Sequence, residues 1–214
     1  MICYASRTGT RKNLAALRAN GWRLLFTPFS GGNPFPGWPY MLDNGAWTAH
    51  TKQEPFNEAA FLTALEKWGA DAEMVIAPDH VGGGMHSFRF SLDWLPRLTT
   101  YKRVLFAAQD GMRPNDLRPH LSERVGFAIG GSTEWKEATL CDPEWAALAS
   151  EFYCHVLRVN SKRRIRLCQD FGAQSFDGTS ASIYSVNARK LAVEAARPTL
   201  FDTDTHPGGG VEHV

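Results

Sequence analysis

Five places in the chain set a polar residue or a glycine pair directly after a short strand-like run: Asp43 after residues 40–42, Asp79 after 74–78, Gln109 after 104–108, Gly130 and Gly131 after 126–129, and Asp177 after 175–176. Carboxylates delivered by separate strand ends to one partly desolvated pocket resist ionisation and repel one another, so their pKa values spread apart. One then serves as a nucleophile while another holds a proton or takes one up. Asp79 and Gln109 together offer acceptors and donors suited to the edge of a heterocycle. Paired glycines let a flat ligand approach the backbone. Each position also has a structural role open to it: an aspartate after a strand caps the next helix, Gln109 bridges loops, and Gly-Gly makes a tight turn.

For these residues to meet, the strands must be parallel and neighbouring. Runs of β type are expected at residues 2–5, 22–27, 40–43, 73–77, 104–108, 125–129, 155–159 and 174–176, alternating with helical segments. That alternation predicts an α/β fold, a compact TIM-type (β/α)8 barrel whose active site lies at the carboxyl ends of the strands. Helices are expected at 11–20, capped by Thr10 with Leu14, Ala15 and Leu17 as the apolar stripe, and at 57–68, ended by Gly69. Two more are expected at 161–170 and 185–196. The glycines and prolines of residues 30–39 predict a long loop. An open Rossmann-like sheet is the competing architecture, but no G-x-G-x-x-G follows an early strand. The expected domain organisation is a single barrel, residues 1–197, and an extended tail, 198–214.

Of 214 residues 43% are hydrophobic, enough for one core, and 23 basic against 22 acidic side chains give no overall attraction for a polyanion. Any nucleic-acid surface is therefore a local patch. Cys3, Cys141, Cys154 and Cys168 form no C-x-x-C pair, so a zinc ribbon or a disulfide framework is not expected. The N-terminus lacks the apolar core of a signal peptide and no run is long enough to span a membrane, so a cytoplasmic protein is expected. His80 and His86 have no metal-ligand spacing with another ligand, and His155, inside a strand, is expected to be a satisfied core residue.

Several segments resemble the tRNA-guanine transglycosylases, over roughly residues 40–189. Leu42-Asp43-Asn44-Gly45-Ala46-Trp47 is similar to that family's D-S-G-G-F segment, Ile76-Ala77-Pro78-Asp79 to its base-recognising strand end, and Phe106-Ala107-Ala108-Gln109-Asp110-Gly111 to its Q-G-G segment. Phe127-Ala128-Ile129-Gly130-Gly131 resembles its A-I-G-G segment, and Gly172-Ala173-Gln174-Ser175-Phe176-Asp177 its G-x-D-x-F-D pattern. The resemblance implies a pentosyltransferase in which Asp177 is the covalent nucleophile, Asp43 the general acid/base, and Asp79, Gln109, Gly130 and Gly131 the base pocket, with no metal or organic cofactor in the chemistry. The family's C-terminal zinc site of three cysteines and a histidine is missing, since His206 and His213 have no cysteines nearby. After Asp177 the chain reads Gly-Thr-Ser-Ala-Ser where the tRNA enzymes have P-T-R. Both departures point to the DpdA-like branch of phages and bacteria, which inserts 7-deazaguanine bases into DNA.

The expected partners are accordingly DNA, ahead of tRNA, and a 7-deazaguanine base. A nucleotide taken out of its stack needs aromatic platforms and phosphate clamps. Trp47 and Trp38 are candidates for the first; Arg158, Lys162, Arg163 and Arg164, with Arg7, are candidates for the second. Three other readings stand beside this one: a nucleoside or nucleic-acid N-glycosidase, a non-catalytic nucleic-acid binding module, and a metal-dependent hydrolase using Asp43, Asp79 and His80. Oligomeric state is left open.

Overall fold

In the computed structural model, which describes residues 1–198, eight parallel strands close into a barrel in chain order: β1 (Ile2–Ser6), β2 (Arg23–Phe26), β3 (Tyr40–Leu42), β4 (Val75–Ile76), β5 (Val104–Ala108), β6 (Val125–Ile129), β7 (Cys154–Val156) and β8 (Ser175–Gly178). β1 pairs with both β2 and β8, which closes the sheet and excludes the open Rossmann-like alternative. Around it lie α1 (Arg11–Ala19), α2 (Ala46–Thr51), α3 (Glu58–Ala64), α4 (Gly84–Leu98), α5 (Pro114–Leu117), α6 (Thr133–Thr139), α7 (Pro143–Glu151), α8 (Lys162–Phe171), α9 (Ser180–Ile183) and α10 (Ser185–Ala195). The crossover from β2 to β3, all of it among the described residues, is the expected irregular loop and carries no helix. The expected tail, with His206 and His213, lies outside the described residues apart from Pro198. Among the described residues no helix is long and apolar enough to cross a membrane.

The strands are short, but their two faces are both buried, as a parallel sheet covered by helices requires. Tyr4, Leu25, Met41, Met74, Ile76, Leu105 and Ala128 fill the barrel interior. The alternate positions Ala5, Phe26, Leu42, Phe106, Phe127 and Phe176 pack outward beneath the helices. Burying a side chain of this size contributes about 1.5–3 kcal/mol. The barrel floor is polar: Tyr4 Oη donates to Glu73 Oε2 at 2.8 Å and Arg23 Nη1 to Glu73 Oε1 at 2.6 Å.

Several local expectations are corrected. Thr10 stands at the N-cap of α1, but its hydroxyl makes no capping hydrogen bond there; it is Asn13 and Leu17 that this helix buries, while Ala15 is exposed. Asn57 does cap α3 by accepting from the Ala60 N–H at 2.9 Å. Gly69 does not terminate the following turn as a left-handed residue. It lies in a π turn, Leu65–Gly69, where a Cβ would come within 2.5 Å of the Tyr101 ring. β7 leaves the ladder after Val156, earlier than expected, because Arg158 takes a left-handed conformation with φ 60°. β8 instead continues through Asp177.

Candidate active site

The pleat decides which strand-end residues face the mouth. Side chains two residues apart share a face, so the inward set Met41, Ala107, Ala128 and Ser175 is continued upward by Asp43, Gln109, Gly130 and Asp177. All four line one cavity of about 940 Å³, together with Asp79 and Gly131. Trp47, Arg158 and Arg7 line it as well.

Asp43 is held at the end of β3 by its N–H, which donates to the Phe26 carbonyl at 2.7 Å, and its Oδ1 accepts from the Gly45 N–H at 2.7 Å. Gly45 adopts φ 82°, and a Cβ there would lie 2.9 Å from the Phe29 ring. The Asp43 carboxyl faces the cavity but is surrounded by protein. Burial pushes its pKa up to about 7, against the Gly45 hydrogen bond and with help from the nearby Asp79 and Asp177 charges. It is thus a group able to hold a proton near neutrality.

Asp79 is clamped from both sides. Asn44 Nδ2 donates to its Oδ1 at 2.7 Å and Gln109 Nε2 to its Oδ2 at 2.7 Å. Asn44 also donates to the Ala77 carbonyl at 2.8 Å and accepts from the Ala46 N–H at 2.7 Å, so its orientation is set. Burial raises the Asp79 pKa, while the Asn44 and Gln109 hydrogen bonds and the Arg158 charge oppose the rise. Gln109 is 3% exposed, and its Oε1 is buried without a partner among the described residues. An unpaired buried acceptor in a cavity wall favours a ligand that brings an N–H to it.

Asp177 is 5% exposed. Its Oδ1 accepts from the Arg158 N–H at 3.1 Å and lies 3.2 Å from His155 Nε2. Among the described residues no donor reaches Oδ2. The left-handed Arg158 does three things at once: its N–H meets Asp177, its Nη2 donates to the Gly131 carbonyl at 2.6 Å, and its guanidinium lies 4.1 Å from the centre of the Trp47 ring. Trp47 is 46% exposed and so presents an aromatic surface at the rim.

Other expected residues are placed elsewhere. Trp38 is away from the cavity: its Nε1 donates to the Trp22 carbonyl at 2.7 Å, ahead of β2 and so toward the opposite end of the barrel. Lys162, Arg163 and Arg164 do not line the cavity either. Arg163 and Arg164 pair with Glu137 at 2.7 and 2.9 Å, and Lys162 lies 3.9 Å from Glu194. Their charges answer carboxylates of α6 and α10. His80 stacks on Phe90 at 4.3 Å and on His86 at 5.5 Å and is not in the cavity wall, so Asp43 and Asp79 have no histidine ligand beside them from this position.

Three groups beside the site were given no role there by the sequence. Asn44 is legible in retrospect only as the neighbour of Asp43. His155 is buried and satisfied as expected, but its partners are Ser175 and Asp177. Lys136 on α6 is 4% exposed, and its Nζ donates to the Leu157 carbonyl; burial first, then the Arg158 charge, pushes its pKa down to about 8. In sequence it is one more surface-type lysine of a polar helix.

A cavity-lining carboxylate with both its hydrogen bonds on one oxygen, a second carboxyl able to hold a proton near neutrality, and a wall of fixed amide and carboxylate groups are an arrangement suited to transfer at a carbon bearing a heterocyclic leaving group. No family model and no curated protein matches this chain.

Proposed function

We propose that the protein exchanges a purine base on DNA, replacing guanine by a 7-deazaguanine through a covalent aspartyl-nucleotide. The observation that carries the proposal is the asymmetry of the two carboxyl groups lining one cavity: Asp177 accepts its hydrogen bonds through Oδ1 alone, and Asp43 is enclosed by protein, with burial pushing its pKa up to about 7. In the first displacement Asp177 Oδ2 forms a bond to the anomeric carbon as the bond to guanine N9 breaks, and the proton of Asp43 passes to the departing base. In the second, N9 of the incoming base forms its bond to that carbon, Asp177 leaves as carboxylate, and the N9 proton returns to Asp43. The oxocarbenium character of both transition states favours an anionic nucleophile. Asp79, held by Asn44 and Gln109, and the unpaired Gln109 Oε1 accept N–H groups from the edge of the base. Trp47 and Arg158 supply a stacking surface at the rim.

A second reading, an N-glycosidase acting on a nucleoside or small nucleotide, is favoured by the pairing of Lys162, Arg163 and Arg164 with glutamates, which leaves Arg7 and Arg158 as the cations of the cavity. The two readings separate in one experiment. The protein is incubated with guanine-labelled DNA, guanine-labelled tRNA or labelled guanosine, with and without a 7-deazaguanine base, and the nucleosides are analysed by mass spectrometry. Exchange requires the 7-deazaguanine nucleoside in DNA; release of labelled guanine with no insertion assigns hydrolysis. No reaction on any of the three removes both.

A further inference from the structure

Behind Asp177 the barrel interior carries a line of polar groups that the chemistry above does not use. Tyr153 Oη donates to Ser175 Oγ at 2.9 Å, Ser175 Oγ lies 2.8 Å from His155 Nδ1, and His155 Nε2 lies 3.2 Å from Asp177 Oδ1. The β7–β8 register pairs His155 directly with Ser175, and the pleat then puts Tyr153 and His155 on one inward face beside Ser175 and Asp177. Ser175 and His155 are fully buried.

The donor directions along this line are determined by counting hydrogens. A serine hydroxyl has one hydrogen to give. The Ser175 oxygen already accepts from Tyr153, so its own hydrogen needs an acceptor, and His155 Nδ1 is the one beside it. That leaves the His155 proton on Nε2, directed at the carboxylate. A proton on Nδ1 alone would strand the Ser175 hydrogen in a buried site and turn a bare Nε2 lone pair toward a carboxylate oxygen. A doubly protonated ring would strand the same hydrogen. Burial pushes the Tyr153 pKa up, so the phenol keeps its hydrogen, and the Arg103 guanidinium lies 4.0 Å from the centre of its ring. The Tyr4 ring, edge-on at 5.9 Å, restricts rotation of the imidazole.

We infer that His155 is a positioning residue: held as the neutral Nε2–H tautomer by the Tyr153–Ser175 relay, it pins Oδ1 of Asp177 and leaves Oδ2 as the oxygen presented to the cavity. The role of Oδ2 as nucleophile rests on the reading under Proposed function; the tautomer does not. The tautomer is measured directly in the protein labelled with ¹⁵N-histidine by long-range ¹H–¹⁵N correlation at pH 7, with His155 assigned by the signal that disappears in His155→Gln. A neutral ring protonated on Nε2 is the expected result. An Nδ1–H or imidazolium pattern overturns the inference, whether or not the protein transfers a base.

Kinetics test the positioning role. His155→Leu is expected to lower kcat by roughly 10²–10³-fold with KM within about threefold, as loss of an orienting partner does, and His155→Gln, which keeps an N–H at the ε position, to return to within about tenfold of wild type. Equal loss in the two variants, or a loss confined to KM, overturns it. Should the wild type transfer no base while the Nε2–H tautomer is found, the exchange reading falls and the assigned tautomer stands.

Discussion

At Asp43 the proposed proton transfer and stability oppose each other. Its carboxyl has an ordinary pKa of 3.8 and is pushed to about 7 in the fold, first by burial. The folded state therefore binds the proton more tightly than the unfolded chain between those pH values, and stability falls as pH rises through that window. Below pH 3.8 the cost is absent; above pH 7 it is complete. Asp43→Asn keeps an acceptor for the Gly45 N–H and removes the charge, so it should raise unfolding free energy by about 2 kcal/mol at pH 8, after discounting for water in the cavity, and change little at pH 4. Urea titrations at the two pH values check this. For the proposed base transfer, kcat/KM for the nucleic acid should fall about tenfold per unit above pH 7, because the first displacement needs the Asp43 proton. Asp177→Asn should reduce transfer by at least about 10³-fold and abolish the covalent protein–nucleotide adduct, which denaturing gels with labelled substrate would detect.

Among the elements, the β6–α6 turn carries a glycine requirement set by the fold itself. Gly131 adopts φ 65°, and a Cβ there would lie 2.4 Å from Asp110 Oδ2 and 2.8 Å from the Trp135 ring. Asp110 in turn accepts from the Ser132 N–H at 2.7 Å and its hydroxyl at 2.6 Å, clipping this turn to the end of β5. Gly131→Ala should destabilise the protein by about 2–4 kcal/mol, seen as a lowered urea midpoint at unchanged m-value. Lys136, on the helix that follows, ties α6 to β7 through the Leu157 carbonyl. Its pKa is lowered from 10.5 to about 8, so the unfolded chain binds more protons between these values and stability rises with pH across them. Relative to Lys136→Met, the wild type should gain about 3 kcal/mol between pH 8 and 10.5, measured by unfolding both proteins at each end of the window.

For the whole molecule, the distribution of paired and unpaired charge sets the affinity for a polyanion. The cations of the cavity, Arg7 and Arg158, hydrogen-bond to the carbonyls of Ser30 and Gly131 and form no salt bridge among the described residues, although the Arg158 charge also acts on the Asp79 and Asp110 carboxylates. Lys162, Arg163 and Arg164 face Glu194 and Glu137. Two phosphate contacts correspond to a slope of about −2 in log affinity against log salt. Fluorescence anisotropy with a labelled oligonucleotide between 50 and 200 mM salt, roughly the range over which such slopes are read, checks the slope. Replacing Arg163 and Arg164 by alanine should change affinity by less than about threefold, because those charges are already answered within the fold.

The barrel was legible because its signals are local. Apolar runs and the glycines and prolines of residues 30–39 act over a few residues, and the alternation of strand with helix leaves a closed parallel sheet as the economical packing. The strand-end residues Asp43, Gln109, Gly130 and Asp177 were legible for the same reason, since a residue two positions beyond an inward one continues that face to the mouth, whereas Asp79 follows the outward Ala77 and enters the cavity from beyond the end of β4. Tertiary structure alone decided what each of these groups meets. That Glu137 answers Arg163 and Arg164, that Trp38 packs beside Trp22, that a helical lysine is buried against Leu157, and that an interior histidine ends on Asp177 all depend on register and on contacts between residues far apart in the chain. Pair energies of this kind vary with distance and burial, and a sequence carries the charges and donors without the distances.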